Sequence, residues 1–249
     1  EFNAKEGPFA NPAVRRAISL AIDRQFMIDN IFFGYGKPAT SALSTNFKPT
    51  GLYASMPNYP ARGDIASAKA LLDSAGIKPD ANGVRIRAIL DLIPYGEDWR
   101  RAGEYLKQVL GDIGIKLELR YEDVPTWLKR IYHNYDFVMN VNYFYQLPDP
   151  VLGVHRHYGT DQIRKGTHFV NSSRYSNSEL DELLASGATE ANAQKRTQIY
   201  KKIQEILARD MPVVNLFELQ FLTVYNTKLK GAYNSALGAY ASFSEAYLD

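Results

Sequence analysis

Apolar positions in this 249-residue chain recur at two periods, and the switches between them mark its elements. Val14, Ala17, Ile18, Ala21, Ile22 and Phe26 recur at helical spacing behind Asn11-Pro12. Asn11 can cap the orphan N–H groups of a first turn, Pro12 sits where a missing N–H costs nothing, and Gly34 follows as a stop. The pattern predicts a helix with one buried face. A second stripe, Ile65, Ala68, Leu71, Leu72 and Ala75, runs from a cap at Asp64 to a stop at Gly76. Residues 84–92 begin with polar alternation and become continuously apolar, as a strand entering a core does. Trp99, Ala102, Tyr105, Leu106, Val109 and Leu110 mark an amphipathic helix ended by Gly111 or Gly114. Residues 115–121 then alternate cleanly as a strand, and strand, helix, strand at this spacing is a βαβ unit with a parallel pair.

Farther on, the spacing predicts a short helix over 124–132, a strand over 135–141 and helices over 176–186 and 193–209. Met211-Pro212 closes the last helix, and the apolar run 213–225 reads as a strand. Residues 34–63 and 147–176 are rich in loop formers and are expected to be irregular. The predicted fold class is α/β or α+β.

Apolar residues at 45% and charged residues at 22% are ordinary for a globular protein. A net charge of +2 gives no argument for nucleic acid or an anionic membrane as partner. Zero cysteines exclude disulfides, thiolate metal sites and cysteine nucleophiles. No apolar run reaches the ~18 residues a spanning helix needs. Glu1 is not an initiator residue, so the chain is read as trimmed or cut from a longer one.

Enzyme signatures are absent: there is no G-x-S-x-G and no H-E-x-x-H, and Gly34-Tyr35-Gly36-Lys37 lacks the spacing of a phosphate loop. No catalytic residue and no cofactor is assigned. His155, His157 and His168, with His133 upstream, include a His-x-His without a third ligand at a known spacing. Solvated histidines account for them, and no metal ligand is assigned.

The wording of several passages carries more than their periodicity. Residues 8–24 read P-F-x-N-P-x-V-R-x-A-I-x-x-A-I-D-R, and Asp64-x-x-x-Ala68-Lys69-x-Leu71-Leu72-x-x-Ala75-Gly76 follows. Then come Ile113-Gly114-Ile115-x-Leu117, Trp127, Tyr135-Asp136 and Asp149-Pro150. Asn171, Tyr175, Asn177, Asp181 and Leu184 come next, and Arg196, Tyr200, Gln204, Asp210, Pro212 and Val213 complete the set. In this order, along nearly the whole chain, they resemble the family 5 extracellular solute-binding proteins that feed oligopeptide, dipeptide, opine and nickel importers.

The resemblance implies an α/β fold, a mixed sheet with flanking helices that forms the second lobe of a two-lobed receptor of the type II periplasmic binding protein fold. Residues 1–9 would belong to the crossing between lobes, 10–212 to the second lobe, and 213–249 to a segment returning toward a first lobe that this chain lacks. It implies a small or peptide-like ligand held between lobes, an ABC permease in the inner membrane as partner, and a periplasmic or lipid-anchored extracellular location. It implies no enzymatic activity. A nickel-chelate carrier and a periplasmic sensor domain on the same fold are the alternatives.

The candidate ligand site is the passage from Asn140 to Pro150, where strand ends meet a lobe interface and Tyr143, Phe144 and Tyr145 supply stacking surface. The resemblance adds Trp127, which in peptide-binding relatives lines the cavity. It also implies departures. Relatives that bind peptides carry a Trp and, three residues on, an Asp for the α-ammonium, where this chain has Tyr143 and Gln146. Some carry an Arg where Asn140 stands, and Asp149 closes the passage. A neutral amide cannot supply the charge-assisted bond that holds an ammonium, so a sugar-like, amide-rich, opine-like or modified ligand is expected.

Overall fold

The opening stripe does not run as one helix. In the computed structural model, which describes all residues but 234, 236–239 and 241, α1 spans Pro12–Ala21 and α2 restarts at Arg24–Asn30. Asn11 Oδ1 accepts the Ala13 N–H at 2.9 Å, as its position foretells. The break comes from Asp23. Its Oδ1 accepts the Phe26 N–H at 2.7 Å and caps a new helix, while its own N–H donates to the Tyr105 hydroxyl at 2.9 Å. Phe26 therefore leaves the buried stripe and stands 42% exposed. A short strand, β1 (Gly36–Pro38), follows, and residues up to 63 are irregular apart from a 3-10 turn at Thr45–Thr50.

Helix α3 (Ile65–Ser74) is capped by Asp64, whose Oδ1 accepts the Ser67 N–H at 2.9 Å, and it packs on α1. The βαβ unit is present as β2 (Ile86–Leu92), α4 (Glu97–Gly111) and β3 (Ile115–Arg120). β2 and β3 are parallel, with Ile86 opposite Ile115 and Asp91 opposite Arg120. α4 lies close on this sheet because Gly103 has no side chain: a Cβ there would fall 2.3 Å from Leu92 Cδ1.

The chain then forms α5 (Val124–Leu128), a π-helical turn at Lys129–Asn134 and β4 (Met139–Val141). β4 is shorter than the expected strand: Tyr135, with φ of 52°, still ends the turn in the left-handed region, and only Met139–Val141 find partners on β2. β4 pairs in parallel with β2, giving the order β3-β2-β4, and Phe2 adds an antiparallel bridge to Met139 that makes the sheet mixed.

The segment 147–176 is less irregular than expected. Asp149 Oδ1 accepts the Val151 N–H at 2.9 Å and starts a 3-10 turn at Pro150–Leu152 that leads into α6 (Val154–Tyr158). α7 (Ser178–Thr189) and α8 (Ala193–Asp210) begin on Asn177 and Asn192, whose side chains accept from Leu180 and Lys195 N–H. Their apolar faces share one core with the loop after β1 and with α6: Leu43, Phe47, Val154, Leu180, Tyr200 and Ile203 are all buried in it.

Of the apolar run 213–225 only β5 (Phe217–Leu219) is a strand, paired with β1. The chain divides into two units, Glu1–Glu218 and Leu219–Asp249. The second holds a small antiparallel pair, β6 (Leu229–Lys230) and β7 (Tyr247–Leu248). Part of the expected return segment, residues 234, 236–239 and 241, lies outside the described residues. Among the described residues no helix is long and apolar enough to cross a membrane.

Candidate functional site

Because β2 and β4 are parallel neighbours, their carboxyl ends open at one edge of the sheet, where α/β folds present ligand-binding groups. β2 runs out through Ile93 and Pro94 to Tyr95, and Gly96, at φ of 114°, turns the chain into α4 and its first-turn residue Trp99. β4 runs out through Asn142 into Tyr143, Phe144, Tyr145 and Gln146.

The two exits converge in a cluster of rings. Tyr143 stacks on Trp99 with centroids 5.8 Å apart and planes 18° apart. It meets Tyr95 edge-on at 5.7 Å and Tyr145 edge-on at 5.6 Å. Phe32 props Trp99 from behind at 5.4 Å. Trp99 is buried, whereas Tyr95 and Tyr145 are 41% and 43% exposed, so the cluster has a packed base and an accessible rim. Such faces stack on rings and on C–H groups.

Phe144 departs to a different neighbourhood, its ring 3.6 Å from that of His157. There the Glu1 carboxylate receives Ser172 Oγ and faces His157 Nε2, both at 3.0 Å. Burial resists ionisation of Glu1, but the hydrogen bond and charge of His157 hold its carboxyl below the usual range. Asn142 Nδ2 donates to the Tyr132 hydroxyl at 2.7 Å.

The remaining sequence candidates stand apart from the ring cluster. Gln146 Nε2 donates to the Ala42 carbonyl at 2.7 Å, and its Oε1 accepts the Ser44 N–H at 2.8 Å, so the amide clamps two loops together. A Cβ at Gly153 would lie 2.9 Å from Gln146 Cα, so the loop can seat on the start of α6 only over a glycine. Asp149 accepts from Arg196 Nη2 at 2.8 and 2.9 Å. Asn140 is buried beside Asp91 in register, and its side-chain amide has no hydrogen-bond partner. Trp127 is 1% exposed, edge-on to Tyr132 at 5.9 Å, and its indole N–H is likewise unpartnered.

Two carboxylates are already committed. Asp91 takes Arg120 Nε and Nη2 at 2.5 and 2.8 Å. Glu218 accepts from Thr45 N–H at 2.7 Å, Thr45 Oγ1 at 2.8 Å and Ser44 Oγ at 3.1 Å. Among the described residues no group of three or more His, Cys, Asp or Glu is placed to hold a metal ion.

Sequence reasoning named Tyr143 and Tyr145 but placed Trp99 only in a helix stripe and passed over Tyr95. The available signal was Pro94-Tyr95-Gly96: a strand of a parallel pair ending in an aromatic and a glycine, just before a helix.

The family model described as bacterial extracellular solute-binding proteins, family 5 Middle, matches residues 1–164. The chain is 26% identical over 233 residues to the glutathione-binding protein GsiB of Salmonella paratyphi A, covering 92% of this chain and 43% of that protein. Among solved structures, the ABC transporter substrate-binding protein CtaP of Listeria monocytogenes superposes with a TM-score of 0.74 at 27% identity, over 88% of this chain and 42% of that one. The oligopeptide-binding protein AppA of Bacillus subtilis, solved with a nonapeptide, shares the fold with a TM-score of 0.79 at 20% identity, over 100% of this chain and 49% of that one. The chain thus spans less than half the length of the curated relatives it matches.

Proposed function

Since the chain belongs to the family 5 bacterial extracellular solute-binding proteins, we propose that it is part of the substrate-binding component of an ABC importer. In this reading residues 10–212 form the second lobe, 1–9 the crossing and 213–249 the return toward a first lobe. The protein works outside the cytoplasmic membrane, in the periplasm or lipid-anchored, and hands its ligand to a membrane permease. It binds without chemistry. Ligand contacts from both lobes stabilise a closed form already present in the population.

The observation that carries the reading is the ring platform of Tyr95, Trp99, Tyr143 and Tyr145 at the carboxyl edge of β2 and β4. Its ligand is peptide-like, opine-like or otherwise amide-rich, and is gripped by stacking more than by charge. Gln146 is neutral and tied to Ala42 and Ser44, and the carboxylates of Asp149 and Glu218 already have partners, which supports a ligand that does not depend on an α-ammonium.

Saturation-transfer NMR detects weak contacts and so suits a single lobe. The test offers the chain a free tripeptide, its N-acetylated form and an opine in turn. We expect the acetylated peptide to receive transfer as strong as the free one, and Tyr143→Ala to abolish both. Transfer that survives Tyr143→Ala, or that requires the free amine, refutes this reading of the site.

A further inference from the structure

Two histidines 35 positions apart in sequence meet at the surface with their Nε2 atoms 3.1 Å apart. His133 stands in the π-helical turn after α5, and His168 in the turns that lead from α6 toward α7. Both side chains are exposed, with ring centroids 5.3 Å apart and planes inclined by 52°.

Their proximity is built from the backbone. The Gly166 N–H donates to the Tyr132 carbonyl at 2.9 Å, which fastens the His168 turn to the residue next to His133. The Thr167 N–H donates to the Arg164 carbonyl at 3.0 Å and tightens that turn. Gly166 has φ of +86°, and a Cβ there would already touch the His133 ring at 3.6 Å, so the turn lies directly on the imidazole. On the other side the buried Tyr132 ring lies 5.8 Å from that of His168.

Two imidazole nitrogens, each about 2.05 Å from one ion, stand 3.1 Å apart at a bond angle of roughly 100°, between square and tetrahedral. We propose that His133 and His168 form a two-point site for divalent first-row transition metals that favour imidazole, with water filling the other positions. Binding replaces the hydrogen bond between the rings: both Nε2 lone pairs turn to the ion and both protons sit on Nδ1. With no third His, Cys, Asp or Glu joining them among the described residues, the order of affinity follows the metal, Cu²⁺ ahead of Ni²⁺ and Zn²⁺. The neighbouring pair does not chelate in this way. His155 Nε2 lies 3.5 Å from Asp161, and His157 Nε2 faces Glu1.

The test titrates the chain with Cu²⁺ and then Ni²⁺ by calorimetry, with electron paramagnetic resonance of the copper form. We expect one tight Cu²⁺ per chain, a spectrum split by two nitrogens, and weaker Ni²⁺ binding. His133→Gln and His168→Gln should each weaken Cu²⁺ binding at least about tenfold, since losing a ligand costs no less than losing its support. His155→Gln should change nothing, and unchanged melting curves will show that the surface variants fold. Absence of stoichiometric Cu²⁺ binding, or binding undiminished in both His133→Gln and His168→Gln, would show a hydrogen-bonded pair only and overturn the site.

Discussion

Arginines of the opening motif serve as structural cations. Arg24 is fully buried; its Nε donates to the Asn215 carbonyl at 3.0 Å, and its Nη1 to the Ser19 and Pro60 carbonyls at 2.9 Å. Burial brings its pKa down to about 10, which still leaves it charged at neutral pH. Arg15 similarly gathers the carbonyls of Phe9, Ala10 and Met211, closing the end of α8. Beside it, Asp210 accepts from Arg209 Nε at 2.7 Å, the Tyr175 hydroxyl at 2.6 Å and Asn177 Nδ2 at 3.0 Å. Burial alone would raise that carboxyl, but these donors outweigh it and hold it below the ordinary value. A depressed folded pKa means the stabilisation is complete above the unfolded value of about 3.9 and is lost as pH falls through the folded one. We therefore expect Asp210→Asn to cost about 1–3 kcal/mol at neutral pH, and the gap to close in acid. Thermal melts of both proteins from neutral pH to below the unfolded value check this; a gap that persists in acid refutes it. The sequence shows residue types at this scale but not how their hydrogen bonds are spent. It could nominate Gln146 as a neutral ligand group, but the bonds to Ala42 and Ser44 are made by loops distant in sequence.

At the scale of elements, capping residues and periodicity made most of the fold legible, because both act within a few neighbours. Asn11 and Asp64 cap helices as read, and two further helices begin behind Asn177 and Asn192, close to where the spacing placed them. The reading failed where two local signals competed. The apolar stripe continued through Ile22 to Phe26, yet Asp23 ended one helix and capped the next. It also overextended β4 and β5, whose lengths depend on partner strands that periodicity does not describe. Packing distances are likewise invisible in a stripe, and Gly103 shows their weight. Replacing a mid-helix glycine by alanine ordinarily gains about 1 kcal/mol. Here the new methyl would meet Leu92 Cδ1, Cδ2 and Cγ at 2.3, 2.9 and 3.2 Å, and Leu92 is itself 1% exposed in the core. Overpacking of that kind costs roughly 1–3 kcal/mol and wins. Gly103→Ala should thus lower stability in urea titrations, while Gly111→Ala, with nothing within 4 Å, should not. A stabilised Gly103→Ala would mean that α4 rides farther from the sheet.

The whole molecule poses a question of partners. Its first unit, Glu1–Glu218, has its own sheet and buried core. Among its described residues the second, Leu219–Asp249, has one two-residue ladder and a row of exposed apolar side chains: Leu222 at 64%, Val224 at 94% and Leu248 at 77%. Scattered exposed leucines are common on protein surfaces; several within one short segment mark a surface that expects cover. Composition gave no hint of this, because the apolar fraction of the chain is ordinary. The order of family passages did, since it assigned residues 213–249 to a return toward another lobe, and the chain spans 43% of the glutathione-binding relative. If that lobe normally supplies the cover, the chain on its own should cover itself. We expect sedimentation velocity to show reversible self-association that grows over a roughly hundredfold rise in concentration, as mass action requires. Leu222→Ser combined with Val224→Ser should weaken it without changing the melting of the first unit, whose core contains neither residue. A chain that stays monomeric throughout, or a double variant that associates as the parent does, would place the sticky surface elsewhere. The return-segment reading would then lose its physical support.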